Sequence, residues 1–401
     1  MQRVQMEPRS GPGSPRSLRQ ANRHRVLATL AESGPLTQAD LARATGLAAS
    51  TVSALVHELA DAGDLVVGRR DGAKGSRLVR LATPPGVVAG LDHGRLHLAV
   101  AVADLDGEIL ADKRVRIPEG MTAAESAVEL DRLLTEVLAA AGRERSDVRR
   151  GALALPAPVD ISSGRLGSAA ILPRWAGIDP ATLCADILGF PVSVHNDTNV
   201  GAIGEAREGA GRGLRHFAYI WVSEGLGAGL MVNDALYEGT SGIAGELGHT
   251  LQRSEHGDLC RCGNRGCLET LVSTPAVIRL LEPQVGPLVD FDEILRRIRA
   301  GDSLCRRVLE QTGRHIGVAV ANLVNLLNPQ RVIVGGELSS AGDVLLEPIR
   351  QMVIQYAIPS AAERVDIVLS ALGKRSEVIG AAKIALGQER AHWPNAEAGA
   401  S

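Results

Sequence analysis

Residues 242–269 read GIAGELGHTLQRSEHGDLCRCGNRGCLE. Three cysteines, Cys260, Cys262 and Cys267, fall within eight residues, and His249 lies eleven residues before the first of them. Three thiolates and one imidazole make up the Cys3His set of a closed, structural tetrahedral zinc site. The alternative is a disulfide or unpaired thiols, but the side chains of a Cys-x-Cys pair point apart and nothing in the sequence indicates export. Glu246 and Glu269 flank the four candidate ligands and are read as something other than ligands.

Outward from this loop, the totals describe an ordinary soluble protein. The 401 residues suffice for two or three domains, with 45% apolar and 22% charged residues. Aromatic residues are only 2%, so the cores must be built from Ala, Val, Leu and Ile. Cys184 and Cys305 are expected as buried thiols in a reducing compartment. With no apolar run long enough to cross a bilayer and no signal-peptide pattern, the expected location is cytoplasmic. Residues 1–82 carry twelve Lys/Arg against seven Asp/Glu, leaving 31 against 39 for the remainder. A basic front end on an acidic body fits a DNA-binding module joined to a small-molecule domain.

Residues 1–16 are rich in Pro, Gly, Ser and Arg and read as a disordered arm. From Ser17, Leu18, Val26, Leu27 and Leu30 predict one face of a helix that ends at Gly34-Pro35. Thr37 caps a short helix over 38–45, Gly46 makes the turn, and a third helix runs from about 49 to 62. Its first turn displays Ala48, Ser50, Thr51 and Ser53, all small or hydroxylic. This is a helix-turn-helix whose second helix enters the major groove. Strands over 65–68 and 77–81, joined by RRDGAKGS, form a wing that carries Arg69, Arg70, Lys74 and Arg77 to phosphates or a minor groove. With no aromatic residue in 1–82, duplex DNA is a better target than single strands. A small protein-docking domain with a charged hairpin is the alternative reading.

Residues 83–86 are a linker, and 87–390 alternate strands with helices as an α/β body; 391–401 read as a frayed tail. Its motifs are LPAPVD, HNDTNVGAIGE, GLGAGL, GTSGIAGELGH, CRCGNRGCLE and NPQRVIVGGEL, between residues 153 and 338. Together they resemble the ROK family of repressors and sugar kinases, and the winged module over 17–82 resembles that of the repressor branch. The resemblance implies a two-lobed, duplicated actin-like α/β fold with a sugar pocket between the lobes. It implies that Asn196, Asp197, Glu246 and Glu269 bind sugar hydroxyls. His249 would ligate zinc through one ring nitrogen and offer the other N–H to the sugar.

In the family's kinases the residue matching Asp197 is the general base. Their phosphate loops, however, are altered here. Arg95 and Leu96 stand where the kinases have glycine and threonine, and Glu224 puts a carboxylate where triphosphate oxygens would lie. The expectation is a sugar-responsive, non-enzymatic repressor of carbohydrate uptake or metabolism genes, binding palindromic operator DNA as a homodimer or tetramer. A hexose or aminosugar kinase and a regulator whose effector is a partner protein are the other readings.

Overall fold

The computed structural model describes residues 15–69, 77–82, 86–160, 164–167, 172–252, 257–288 and 290–391. The expected arm up to residue 14, the wing tip with Arg70 and Lys74, residues 83–85 of the linker and the tail from 392 lie outside the described residues. So does the side chain of Arg69. The chain folds as two compact units: Gly86–Leu386 form one, and the described residues before 86 together with those after 386 form the other.

In the first unit, α1 (Pro15–Ser33) and β1 (Leu36–Thr37) precede α2 (Gln38–Thr45) and α3 (Ala49–Asp61), and β2 (Leu65–Arg69) pairs with β3 (Arg77–Leu81). The Thr37 hydroxyl accepts from the Asp40 amide, and Gly46 adopts the left-handed φ of 68° that ends α2. Val26, Leu27, Leu30, Leu41, Val52, Leu55, Val56 and Leu59 close the core. Leu18, expected on that face, is 65% exposed, because it lies two helical turns before Val26, the first α1 residue in the apolar core. The helix also begins at Pro15, inside the stretch read as arm. Sequence reading missed β1, whose two residues pair with β3 and make the sheet three-stranded, in the order β1-β3-β2.

The second unit is built twice from one plan. Its first lobe runs β4 (Val87–His93), β5 (His97–Asp104), β6 (Ile109–Arg116), α4 (Ala123–Ala140), β7 (Val148–Leu155), α5 (Pro180–Leu188), β8 (Val192–Asn196) and α6 (Asp197–Glu208). The second opens with β9 (Phe217–Val222), β10 (Leu226–Val232) and β11 (Ala235–Leu236). It continues through α7 (Glu269–Val272), α8 (Thr274–Val285), α9 (Phe291–Arg299) and α10 (Ser303–Leu327). The chain then forms β12 (Arg331–Gly335), α11 (Asp343–Tyr356), α12 (Pro359–Ala362), β13 (Asp366–Leu369) and α13 (Ser376–Ala391). The sheets are ordered β6-β5-β4-β7-β8 and β11-β10-β9-β12-β13. In each, the first three strands of the lobe pair antiparallel and the last two add in parallel. Parallel addition needs crossover helices, which cover the sheets and bury them in aliphatic cores, as the shortage of aromatics requires.

Two glycine contacts fix how α6 lies. A Cβ on Gly204 would fall 2.2 Å from the Ser376 carbonyl oxygen, and one on Gly380 would fall 1.9 Å from that of Val200. Helices α6 and α13 therefore cross backbone against backbone. On its other side α6 presses on β10, where a Cβ on Gly229 would lie 2.7 Å from the Thr198 carbonyl oxygen. The glycines of GLGAGL that follow Leu226 are accordingly residues of strand β10. They are small because a helix passes over them.

Candidate functional site

A cleft of about 400 Å³ opens between the two lobes, where the carboxyl ends of β4, β7, β8 and β9 converge. That is where open α/β sheets leave room for ligands. Asn196, Asp197, Glu246, His249 and Glu269, far apart in sequence, all line it.

Asn196 ends β8 and caps α6: its Oδ1 accepts from the Asn199 amide at 3.0 Å, and its Nδ2 donates to the Ala157 carbonyl at 3.2 Å. Asp197 opens the helix, with Oδ1 accepting from the Thr198 amide at 2.6 Å and the Thr198 hydroxyl at 3.1 Å. Its other oxygen takes no part in these bonds. Burial, and then the neighbouring charges of Asp92 and Glu246, push the Asp197 acid up to about 7. Burial likewise raises Glu246.

The cysteine loop forms the wall beside them. The donor atoms of His249, Cys260, Cys262 and Cys267 all lie within 4.8 Å of one another, a spacing and donor set that fit a tetrahedral metal. His249, on a single helical turn over Leu247–His249, has Nδ1 3.5 Å from the Cys260 sulfur. Its Nε2 lies 3.6 Å from a Glu246 carboxylate oxygen. One ring edge thus faces the thiols and the other faces the cleft.

Glu269 differs from the expectation of an open hydroxyl acceptor. Arg261 Nε donates to its Oε1 at 2.7 Å, and the Leu226 amide donates to its Oε2 at 3.2 Å. Arg261 also donates through Nη2 to the Glu224 carbonyl at 2.7 Å. Sequence reading missed Arg261, although its place between Cys260 and Cys262 could have drawn attention to it.

On the opposite side, Asp92 is buried and its Oδ2 lies 2.8 Å from His97 Nε2 and 3.9 Å from Arg114. Burial works to raise its pKa, but the charge and hydrogen bond of His97, with Arg114, win and hold it below the usual range. His97 folds onto Gly94, where a Cβ would meet its ring at 1.9 Å. In the turn between β9 and β10, the Ser223 amide donates to the Gly225 carbonyl at 2.9 Å, and the Leu226 amide is taken by Glu269. Two amides of this turn are thus occupied. Burial raises Glu224, which lines the same cleft, against the pull of Arg95. Glu377 on α13 is a further residue that the sequence did not flag. It accepts from the Tyr219 hydroxyl at 2.9 Å, and burial foremost raises its pKa well above the ordinary value.

In the first unit, α3 presents Ala48 and Ser50 exposed and Thr51 and Ser53 half-buried beside the buried Val52. Ala48 takes the N-cap position without a side-chain cap, leaving the start of α3 free of intramolecular side-chain bonding. Arg77 is exposed on β3. Arg19 and Arg23 tie α1 to Glu58 on α3, which steadies the presented face.

A winged helical module and a duplicated two-lobed α/β domain with a cleft and a Cys3His loop define a class of regulators and sugar kinases. The chain belongs to the ROK family, whose model matches residues 88–388. Residues 19–74 match the MarR family model. The chain is similar to the xylose repressor of Caldicellulosiruptor bescii, with 28% identity over 90% of this chain and 94% of that one. Among solved structures it resembles a ROK family transcriptional regulator, a homologue of the Escherichia coli MLC protein. The TM-score is 0.72 at 27% identity, over 92% of this chain and 96% of the other. A ROK family glucokinase from Streptomyces griseus, solved with glucose and AMPPNP, superposes with a TM-score of 0.64 at 28% identity. It covers 99% of its own length but 75% of this chain. Among the described residues, no helix is long and apolar enough to cross a membrane.

Proposed function

We propose that this chain is a sugar-responsive DNA-binding repressor of carbohydrate uptake or metabolism genes, and that it is not a kinase. The observation that carries the reading is the asymmetry of the cleft. One wall offers Asp197, Glu246 and the His249 ring edge, while in the turn that would cradle a triphosphate the Ser223 and Leu226 amides are engaged by Gly225 and Glu269. Sugar hydroxyls need several such acceptors and donors at fixed angles. The similarity to the xylose repressor over both units supports the same assignment.

His249, Cys260, Cys262 and Cys267 hold a structural Zn²⁺. His249, whose Nδ1 faces the thiols, would be held in one tautomer by a bound metal, with Nε2 left toward Glu246 and the cleft. Asn196 positions the start of α6 and lines the pocket. Glu269 acts on the effector while held by Arg261. The α3 face, Ala48, Ser50, Thr51 and Ser53, reads base edges, and Arg69, Arg70, Lys74 and Arg77 contact phosphates. A homodimer places two such modules on a palindromic operator, and effector binding shifts the lobe arrangement that controls them.

The test is a thermal-shift screen against a sugar panel, followed by operator binding with and without the hit. A ligand at 100 times its dissociation constant adds about 2.7 kcal/mol of stability. Failure of every sugar to shift the protein overturns the reading. One observation favours the kinase alternative: Asp197, titrating at about 7 in the cleft, suits a general base. ADP release with a hexose and Mg-ATP, lost in Asp197→Asn, would establish it.

A further inference from the structure

Arg261 stands between two of the metal-loop cysteines, and its guanidinium shares Glu269 Oε1 with the Cys260 sulfur, which lies 3.9 Å from that oxygen. Its side chain is 23% exposed, and each of its contacts leads to the cleft wall. Nε meets Glu269 Oε1 and Nη2 meets the Glu224 carbonyl, both at 2.7 Å. Glu269 Oε2 in turn takes the Leu226 amide. Arg261, Glu269, Leu226 and Glu224 thus close a ring of hydrogen bonds from the cysteine loop to the turn between β9 and β10. The turn accommodates this ring only because Gly225 has no side chain. A Cβ there would lie 2.7 Å from Glu269 Oε2 and 3.4 Å from Arg261 Nη2.

We propose that Arg261 is the positioning residue through which metal in the Cys3His loop sets the shape of the effector cleft. With Cys260 and Cys262 on the metal, the backbone on both sides of Arg261 is fixed, and its planar fork can serve Glu269 and Glu224 at once. Without the metal, loop and turn lose their common reference. Glu269 is left nearly buried beside a cation no longer aimed at it, which a low-dielectric wall tolerates poorly. Arg261 lines the cleft but is not one of the four metal donors; it makes one rigid element of two loops that the sequence separates by 35 residues or more. A lysine at this position is a single point charge that reaches one of the two acceptors but cannot span both. The inference rests on the zinc and sugar assignments above.

The experiment uses the full zinc-loaded chain, as wild type, Arg261→Ala and Arg261→Lys. Three quantities are read: zinc per chain, hydrogen exchange of the Leu226 amide, and affinity for whichever sugar the wild type binds. The expected result is that Arg261→Ala keeps one zinc per chain, exchanges Leu226 at least tenfold faster and binds the sugar at least tenfold more weakly. Arg261→Lys falls between. Chelating zinc from the wild type speeds Leu226 exchange to the Arg261→Ala level, and chelation adds nothing further in that variant. Wild-type exchange in zinc-loaded Arg261→Ala overturns the proposal. So does loss of zinc from that variant, or an equal chelation effect in both proteins. A wild type that binds no sugar defeats the sugar assignment alone, because the exchange measurements still decide the role of Arg261.

Discussion

His97 Nε2 lies 2.8 Å from Oδ2 of Asp92, at the cleft end of the first sheet, and both residues come from the β4–β5 hairpin. The partner of Asp92 is therefore supplied from within the chain. Replacing His97 by leucine leaves a carboxylate that is 2% exposed with only Arg114 at 3.9 Å. The expected loss is about 3 kcal/mol of stability, since an unpaired buried charge is costly. Arg114→Leu should cost less. Denaturant unfolding of both variants checks the order.

The acid of Asp197 predicts a pH signature. Its folded pKa, about 7, lies above the ordinary 3.8, so between these values the folded chain binds a proton that the unfolded chain has released. Its contribution to stability is therefore present at low pH and lost as pH rises through about 7. Asp197→Asn should flatten that slope in thermal melts recorded from pH 4 to 8. Sugar affinity should change the other way, rising from pH 6 to 8 as the carboxylate becomes a full acceptor, and the asparagine variant should lose this rise.

Metal removal gives a third expectation. Chelation, or serine at Cys260, Cys262 and Cys267 together, should lower the melting temperature of the 86–386 unit and abolish the sugar response. Operator binding without effector should survive, because the first unit has its own core. Elemental analysis should find one zinc per chain in untreated protein. Normal sugar affinity in the triple variant would count against the coupling of loop and cleft.

On DNA, residues of α3 and of the wing should separate by phenotype. Ser50→Ala with Thr51→Ala is expected to change the preferred sequence at about 1–3 kcal/mol per altered base contact. Arg77→Ala should weaken binding to every duplex and reduce the salt slope by about one unit. Titrations of a matched and a scrambled duplex at two salt concentrations distinguish these outcomes.

Punctuated elements were the legible ones. Thr37 and Gly46 bracket α2, as expected. The cysteine loop was equally plain, because ligand spacing is local. Pairings that depend on register or on a distant loop were not visible. His97 reaches Asp92 because β4 and β5 set His93 opposite Leu98 and bring their ends together. Arg261 reaches Glu224 across two separate loops. The aliphatic content of α1 placed Leu18 in the core, yet only the packing partner decides which turn of a helix is covered. Asn196 was read for its polar chemistry, and its capping of α6 shows that one amide serves backbone and cleft together.

The crossing of α6 and α13 at Gly204 and Gly380 has a mechanical result. Two backbones in direct contact leave no room for a side chain at the crossing, so the lie of α6, the helix that begins at Asp197, is set by how closely α13 approaches it. An alanine at Gly380 would meet the Val200 carbonyl and push the two helices apart, disturbing the cleft from behind.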